Sequence, residues 1–147
     1  MKRIMLAVLA VAIGATAASA QSCDDTIKQR QALMKRSGDN AKLGASMIRG
    51  ETPFDLAKTK DIFGAFADKA TKLPTLFPDC SKSGADTHAA PAIWQKQDEF
   101  KERIAKFAAD IKTAQDATKD LDSFKANFPT VGKNCSGCHE NFRTKMN

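Results

Sequence analysis

The strongest chemical signal in the sequence is Cys135-Ser136-Gly137-Cys138-His139, a Cys-x-x-Cys-His motif. Two thiols at this spacing can add across the two vinyl groups of a haem, and a histidine directly after the second thiol can ligate the haem iron. Positions three apart also lie on one face of a helix. The motif therefore predicts one haem c attached covalently through Cys135 and Cys138, with His139 on the iron.

Three other interpretations of the two cysteines are open at this point. They could form a redox-active disulfide, but such pairs usually open a helix in a βαβ setting, and no strand pattern precedes this one. They could ligate zinc, with Cys23, Cys80 or His88 completing the set, but the three motif residues lie too close in sequence to serve easily in one tetrahedral site. They could also be inert core residues.

Helical periodicity surrounds the motif. Apolar residues recur at alternating spacings of three and four between Leu121 and Phe142, and three earlier segments have a similar period. Alternation of β-branched residues, which would indicate strands, is nearly absent. Four amphipathic helices are therefore predicted, at residues 24–48, 53–73, 92–118 and 120–145. We expect an all-α protein, an antiparallel four-helix bundle that encloses one covalently bound haem.

The ends of these helices carry local signals. Thr52 is expected to cap the second helix, with Pro53 at its first position. Residues 74–91 contain three prolines and have no period, so they are expected to form the one long loop of the domain. Pro129 lies inside the fourth helical pattern and should kink or split it.

Residues 1–20 have the features of a secretory signal peptide: Lys2 and Arg3 at the start, an apolar run over 4–13, and small residues at 18–20. The mature domain is expected to span residues 21–147. The apolar run is too short to cross a bilayer, so no membrane insertion is expected. Removal of two cations with the signal lowers the formal net charge from +6 to +4, and the cations are scattered among anions, so nucleic acid is not an expected partner.

Cys23 and Cys80 are the cysteines outside the motif. In an exported protein two such residues favour a disulfide, which would join the start of the first helix to the long loop. Two free thiols or an intermolecular link are the alternatives. His88, in the same loop, is expected to be exposed to solvent and not to act as a ligand.

Four further segments accompany the haem motif: Arg30-Gln31-Ala32-Leu33-Met34-Lys35, Pro91-Ala92-Ile93-Trp94, Phe128-Pro129-Thr130-Val131-Gly132-Lys133-Asn134 and Phe142-Arg143. Together with the position of the motif near the C-terminus, they make nearly all of residues 21–147 similar to one family. The sequence resembles the class II c-type cytochromes, that is, the cytochromes c' and their low-spin relatives.

This resemblance implies a left-handed bundle with one haem c and with His139 as the proximal iron ligand. In the family, the residue four positions after the first-helix arginine points at the distal face of the iron. Leu or Phe there leaves the iron five-coordinate and open to small gases, whereas this sequence has Met34. The chain therefore resembles the His/Met-ligated, low-spin branch more closely. The resemblance also places Arg30 beside a haem propionate, and Arg143, one turn after His139, is expected to act on the electrostatics of the proximal ligand.

Electron transfer in the periplasm is the function that this ligand set implies, because thioether ligation raises the reduction potential of a haem. The alternative is a five-coordinate protein that binds NO or CO, in which Met34 only fills the core. No enzyme activity is expected, since a peroxidase would need an acid–base residue in a polar distal pocket. The expected partners are periplasmic redox proteins, and the chain is expected to be a monomer or a homodimer.

Overall fold

Four long helices and one short helix build the protein in this computed structural model, which describes residues 15–145, with side chains from Cys23 onward. The helices are α1 (Ala15–Ile48), α2 (Leu56–Lys72), α3 (Ala92–Gln95), α4 (Gln97–Ala117) and α5 (Leu121–Phe142). Residues 15–145 contain no β-strand. Contacts join α1 to α2, α2 to α4, α4 to α5 and α5 back to α1. The predicted all-α, antiparallel four-helix bundle is confirmed.

The first helix begins upstream of the predicted mature start. Residues 1–14, which hold most of the predicted signal peptide, lie outside the described residues, as do residues 146–147. From Ala15 onward α1 continues through the predicted cleavage site at residues 18–20 without a break. The signal peptide and the 21–147 domain boundary therefore stay predictions. Within the described part of the chain, no helix has an apolar stretch long enough to cross a membrane.

The start of α2 differs from the sequence prediction. Thr52 does not cap the helix, and Pro53 is not its first residue. The N-cap is Asp55, whose backbone is extended and whose carboxylate accepts a hydrogen bond from the Lys58 amide at 3.0 Å. Thr52 belongs to the preceding turn instead, where its hydroxyl oxygen accepts a hydrogen bond from Ser46 Oγ at 2.9 Å.

The predicted third helix is interrupted near its start. Lys96, with φ −126° and ψ 54°, separates the four-residue helix α3 from α4. The interruption lets α3 pack on the long loop, because the Trp94 indole donates a hydrogen bond to the Phe77 carbonyl at 3.0 Å. Tertiary packing therefore overrides the helical period at this point.

Pro129 does not split the fourth helix, contrary to one of the two predicted outcomes. α5 is continuous from Leu121 to Phe142 and begins with a capping box between Asp120 and Ser123. Pro129 is exposed, and so is Lys125, the residue whose carbonyl loses a helical partner to the proline. Water can satisfy that carbonyl, so the helix continues.

The long loop is more regular than its sequence suggests. It contains two 3-10 turns, at Leu73–Leu76 and Asp79–Lys82. The Cys80 Sγ is bonded to the Cys23 Sγ, so the predicted disulfide is present and fixes the loop to α1. At the other end of the loop, the Ala90 amide donates to the Phe142 carbonyl at 3.1 Å and the Thr144 amide to the His88 carbonyl at 2.9 Å. The loop is therefore attached to both the first and the last helix.

The apolar interior divides into two clusters along the bundle. The first, here called the closed core, consists of Met47, Ile62, Phe63, Phe66, Ala70, Phe107, Ile111, Ala114, Phe124, Phe128 and Val131. The second, the site cluster, consists of Leu73, Ile93, Phe100, Ile104 and Phe142. Met34 and Cys138 pack against the site cluster. The haem motif therefore faces the end of the bundle that the closed core does not fill.

Gly44 allows α1 to approach α5 closely inside the closed core. A Cβ atom at this position would overlap the ring of Phe128. The Phe128 ring in turn lies 4.7 Å from the Phe124 ring, centroid to centroid, so it has little room to retreat.

Gly44→Ala is expected to lower the free energy of unfolding of the holoprotein by about 1–3 kcal/mol, because the new methyl group overpacks the core. Urea denaturation followed by far-UV circular dichroism measures this. The matched control is Gly38→Ala in the same helix, where a new Cβ meets no heavy atom within 4 Å. That control should gain about 0.5–1 kcal/mol from better helix propensity. A Gly44→Ala protein as stable as the Gly38→Ala protein would contradict the close helix approach.

Candidate haem site

The motif residues are carried by the last two turns of α5. Cys135, Cys138 and His139 are all half-buried. Neither cysteine is in a disulfide, so the two do not form a redox-active pair with one another. No cluster of three or more metal-ligating side chains is found among the described residues, which leaves the zinc interpretation without support.

A cavity of about 240 Å³ opens beside the motif. Its lining combines apolar side chains of the site cluster with polar ones, of which Arg30 is buried and Gln31, His88 and Arg143 are exposed. Its lining includes Met34 from α1, and Cys138 and His139 from α5. A narrower cavity of about 40 Å³ shares Met34, Leu73, Cys138 and His139 with the first and continues to Cys135. The two adjacent cavities are here together called the slot, and both cysteines line it.

The ionisation of the motif residues suits haem attachment. Burial lowers the pKa of His139, and the positive charges of Arg143 and Lys69 lower it further. The imidazole is therefore held in the neutral form that can ligate iron. Burial also raises the pKa of the Cys138 thiol. Free thiols, a neutral imidazole and an apolar slot are a donor set and a shape that fit a haem c.

Arg30 organises the wall of this slot. It is 4% exposed, and its Nη1 donates hydrogen bonds to the Leu76 carbonyl at 3.0 Å and to Ser81 Oγ at 2.8 Å. Its Nη2 donates to the Ser81 carbonyl at 2.9 Å and to Thr87 Oγ1. The guanidinium carbon lies 4.8 Å from the centroid of the Phe77 ring.

These contacts bear on the predicted propionate role of Arg30. Four of the five N–H groups of the guanidinium are used by the loop, which leaves Nε–H to serve a carboxylate. Arg30 also lines the large cavity. Contact between Arg30 and a propionate stays a prediction. In the structure, most of the guanidinium N–H groups anchor the loop.

The remaining sequence-predicted residues lie around the same slot. Arg143 is exposed, caps the C-terminal end of α5 and lines the large cavity. His88 is exposed, as predicted, although it lies at the mouth of the cavity. Met34 is half-buried and lines both cavities. The structure therefore brings Met34, Cys138, His139 and Arg143 to one place.

Lys69 is a site residue that the sequence reasoning missed. It is 6% exposed and lines the narrow cavity beside Cys135 and Cys138. The signal for it was available, because Ile62, Phe66, Lys69 and Leu73 follow the spacing of one helix face. A lysine in an apolar series is easily assigned to the edge of the face.

A family model described as Cytochrome C' matches residues 25–143. A cytochrome c' from Rhodopseudomonas palustris is 44% identical over 135 residues, which is 92% of this chain and 91% of that protein.

The chain belongs to the cytochrome c' family.

Two further comparisons agree with this assignment. A solved structure of cytochrome c' from R. palustris superposes with a TM-score of 0.80 at 44% identity, covering 84% of this chain and 98% of that one. A cytochrome c-556 from the same organism is 34% identical, over 94% of this chain and 95% of that protein. Like its family, this cytochrome binds haem c covalently through cysteines. The sequence has four cysteines and the disulfide takes two, so the attachment is through Cys135 and Cys138.

The cysteine assignment predicts a defined thiol count. Holoprotein denatured in guanidinium chloride without reductant should show no titratable thiol, because two sulfurs are in thioethers and two are in the Cys23–Cys80 bridge. Reduction should release two thiols, and a chromogenic thiol titration measures both states. Cys80→Ser is the control and should show one thiol before reduction. Two free thiols in the unreduced wild-type protein would disprove the intrachain bridge.

Loss of the Arg30 side chain should detach the long loop between α2 and α3 from α1. Arg30→Met leaves two carbonyls and two hydroxyl oxygens without their donor, and the free energy of unfolding should fall by about 2–4 kcal/mol. Hydrogen exchange of the amides in residues 77–87 should accelerate more than elsewhere.

Arg36→Met is the matched control on the same helix. Its side chain is 62% exposed and has a single ion pair, with Asp68 at 3.6 Å. This change should cost at most about 1 kcal/mol. Equal effects of the two variants on loop exchange would contradict the anchoring role of Arg30.

Proposed function

We propose that this cytochrome is a periplasmic electron-transfer protein whose haem iron is ligated by His139 and Met34. The observation that carries the proposal is the placement of these two side chains. They project from α5 and α1 respectively, and both line the slot along which Cys138 lies.

The haem supplies a one-electron Fe(III)/Fe(II) couple. The chain supplies the ligands and the surroundings. Met34 offers a neutral thioether sulfur, which favours the ferrous state relative to a second nitrogen ligand. His139 offers an imidazole whose pKa is lowered by burial and by neighbouring cations, so it is unprotonated at neutral pH.

The residues that line the slot favour outer-sphere electron transfer, in which no partner molecule binds the iron. Leu73, Ile93 and Phe100 are buried and give the slot an apolar lining, while Gln31, His88 and Arg143 line it with exposed side chains. A cofactor held in this way has a protected centre and one edge close to solvent, which is the arrangement that electron exchange with a partner requires. The relative named cytochrome c-556 supports a low-spin member of the family.

A second candidate is binding of a small gas at a five-coordinate iron. The similarity to a protein named cytochrome c' is higher, at 44%, than the 34% similarity to cytochrome c-556. In this candidate Met34 is a packing residue of the site cluster and the sixth position is open.

We infer the cellular setting from the sequence of residues 1–20. Residues 1–20 direct export and are removed, and residues 21–147 form the mature cytochrome in the periplasm. Its partners are redox proteins of that compartment, which it meets as a monomer or a homodimer. The lack of a membrane-spanning helix in the described residues is compatible with this setting.

Met34→Leu decides between the two candidates. Wild-type protein should be low-spin in both oxidation states, and its ferrous form should bind CO slowly or not at all at neutral pH. Met34→Leu removes the sulfur at nearly constant volume and should give a high-spin protein that binds CO readily. Optical spectra with and without CO measure both properties, and the ferric wild type should also have weak near-infrared absorption from sulfur ligation.

Met47→Leu is the matched control. Met47 lies on the same helix and is 1% exposed, but it belongs to the closed core. This variant should keep the low-spin spectrum. A wild-type protein that is already high-spin and binds CO rapidly would overturn the electron-transfer proposal in favour of gas binding.

A further inference from the structure

The ammonium group of Lys69 is buried in an aromatic setting next to the haem slot. Its Nζ lies 4.5 Å from the centroid of the Phe107 ring and 5.7 Å from that of Phe66. The side chain is 6% exposed and lines the narrow cavity together with Cys135 and Cys138. The charge therefore lies at the edge of the slot where the thioethers form.

None of the described side chains that line the slot carries a negative charge to balance this ammonium. The residues that line the narrow cavity include no carboxylate, and its other cation, Arg103, is turned toward Glu99 with an N–O distance of 3.7 Å. Burial lowers the pKa of the Lys69 ammonium, and in the free chain negative charge on Cys135 and Cys138, in their thiolate form, acts in the opposite direction. Thioethers carry no charge, so haem attachment removes even these partners.

The other lysine near this end of α2 is placed differently. Lys72 is exposed and pairs with Asp68 at 2.7 Å. Packing alone requires only the alkyl stem of Lys69, which an uncharged side chain of the same length would reproduce. A charge held by aromatic faces and lacking a counter-ion is therefore a feature that packing does not explain.

We propose that Lys69 is a potential-tuning residue, whose positive charge beside the haem stabilises the ferrous over the ferric state. The proposal rests on the electron-transfer function proposed above. Its basis is electrostatic, because the iron centre loses one positive charge on reduction and repulsion from a nearby cation is relieved. The slot is apolar, so solvent screens this repulsion less than it would at the surface.

The test is the midpoint potential of the holoprotein at neutral pH, measured by equilibrium titration against a redox dye. Lys69→Met removes the charge and keeps an unbranched apolar stem. It should shift the one-electron equilibrium toward the ferric form by about threefold or more, which corresponds to at least about 28 mV. Lys69→Gln, which is also uncharged, should shift it in the same direction, and Lys69→Arg should restore most of the wild-type potential.

Lys60→Met is the matched control, since Lys60 is an exposed residue of the same helix. Its potential should differ from wild type by far less than that of Lys69→Met. An unchanged or raised potential in both Lys69→Met and Lys69→Gln would overturn the proposal, as would a Lys69→Arg protein that resembles them.

This outcome is separable from the ligation question. The spin state and CO binding of the wild-type protein test Met34 and the electron-transfer proposal, and neither depends on the Lys69 charge. A low-spin protein whose potential does not respond to Lys69 would refute only the tuning role. A high-spin protein whose potential does respond would refute only the proposed ligation and carrier function.

Discussion

The need to satisfy a buried guanidinium shapes the half of the protein that holds the cofactor. Arg30 enters the interior from α1 without a carboxylate partner among its hydrogen bonds, so its charge must be solvated by backbone carbonyls and hydroxyls. Those acceptors come from the loop, which must fold against α1 to provide them. The loop then supplies Phe77, Thr87 and His88 to the cavity wall. One polar side chain thereby converts an irregular segment into a structural part of the site.

The division of the interior into two clusters explains how a bundle of this size accommodates a large cofactor. In the closed core, aromatic rings meet one another, as in the contact of Phe63 and Phe124 at 6.0 Å between centroids. The residues of this core come from all four long helices, so these contacts hold the helices together. In the site cluster, apolar side chains line a slot in place of filling it. Stability and binding are thus assigned to opposite ends of the same helices.

Much of this arrangement could be predicted from the sequence because it depends on local patterns. The spacing of the Cys-x-x-Cys-His motif is enough to predict haem attachment, and the period of the apolar residues predicts the four helices. The start of α2 could not be located, because Thr52 and Asp55 are both good capping residues and only the folded turn selects between them. The same is true of Pro129, whose effect depends on whether a lost hydrogen bond faces water.

The partners of polar side chains were still less predictable. An arginine on a helix has no signature that distinguishes solvent from a loop 46 to 57 residues away in the sequence. Lys69 was missed for a related reason, since its surroundings come from α4 and α5 and are fixed only when the bundle forms. In both cases the sequence identifies the residue type, and long-range packing determines what that residue does.

The Cys23–Cys80 bond has a topological consequence. It closes residues 23–80 into a ring that contains Arg30, Met34 and Lys69, while the Cys-x-x-Cys-His motif lies on the linear remainder of the chain. In the chain-entropy model, a loop of this length costs the unfolded ensemble about 4 kcal/mol of conformational freedom. The distal side of the site therefore lies in a covalently closed segment with fewer unfolded conformations, whereas α5 lies in a segment without such a cross-link. To form the site, the segment with α4 and α5 must therefore pack against a segment in which α1 and α2 are already joined covalently.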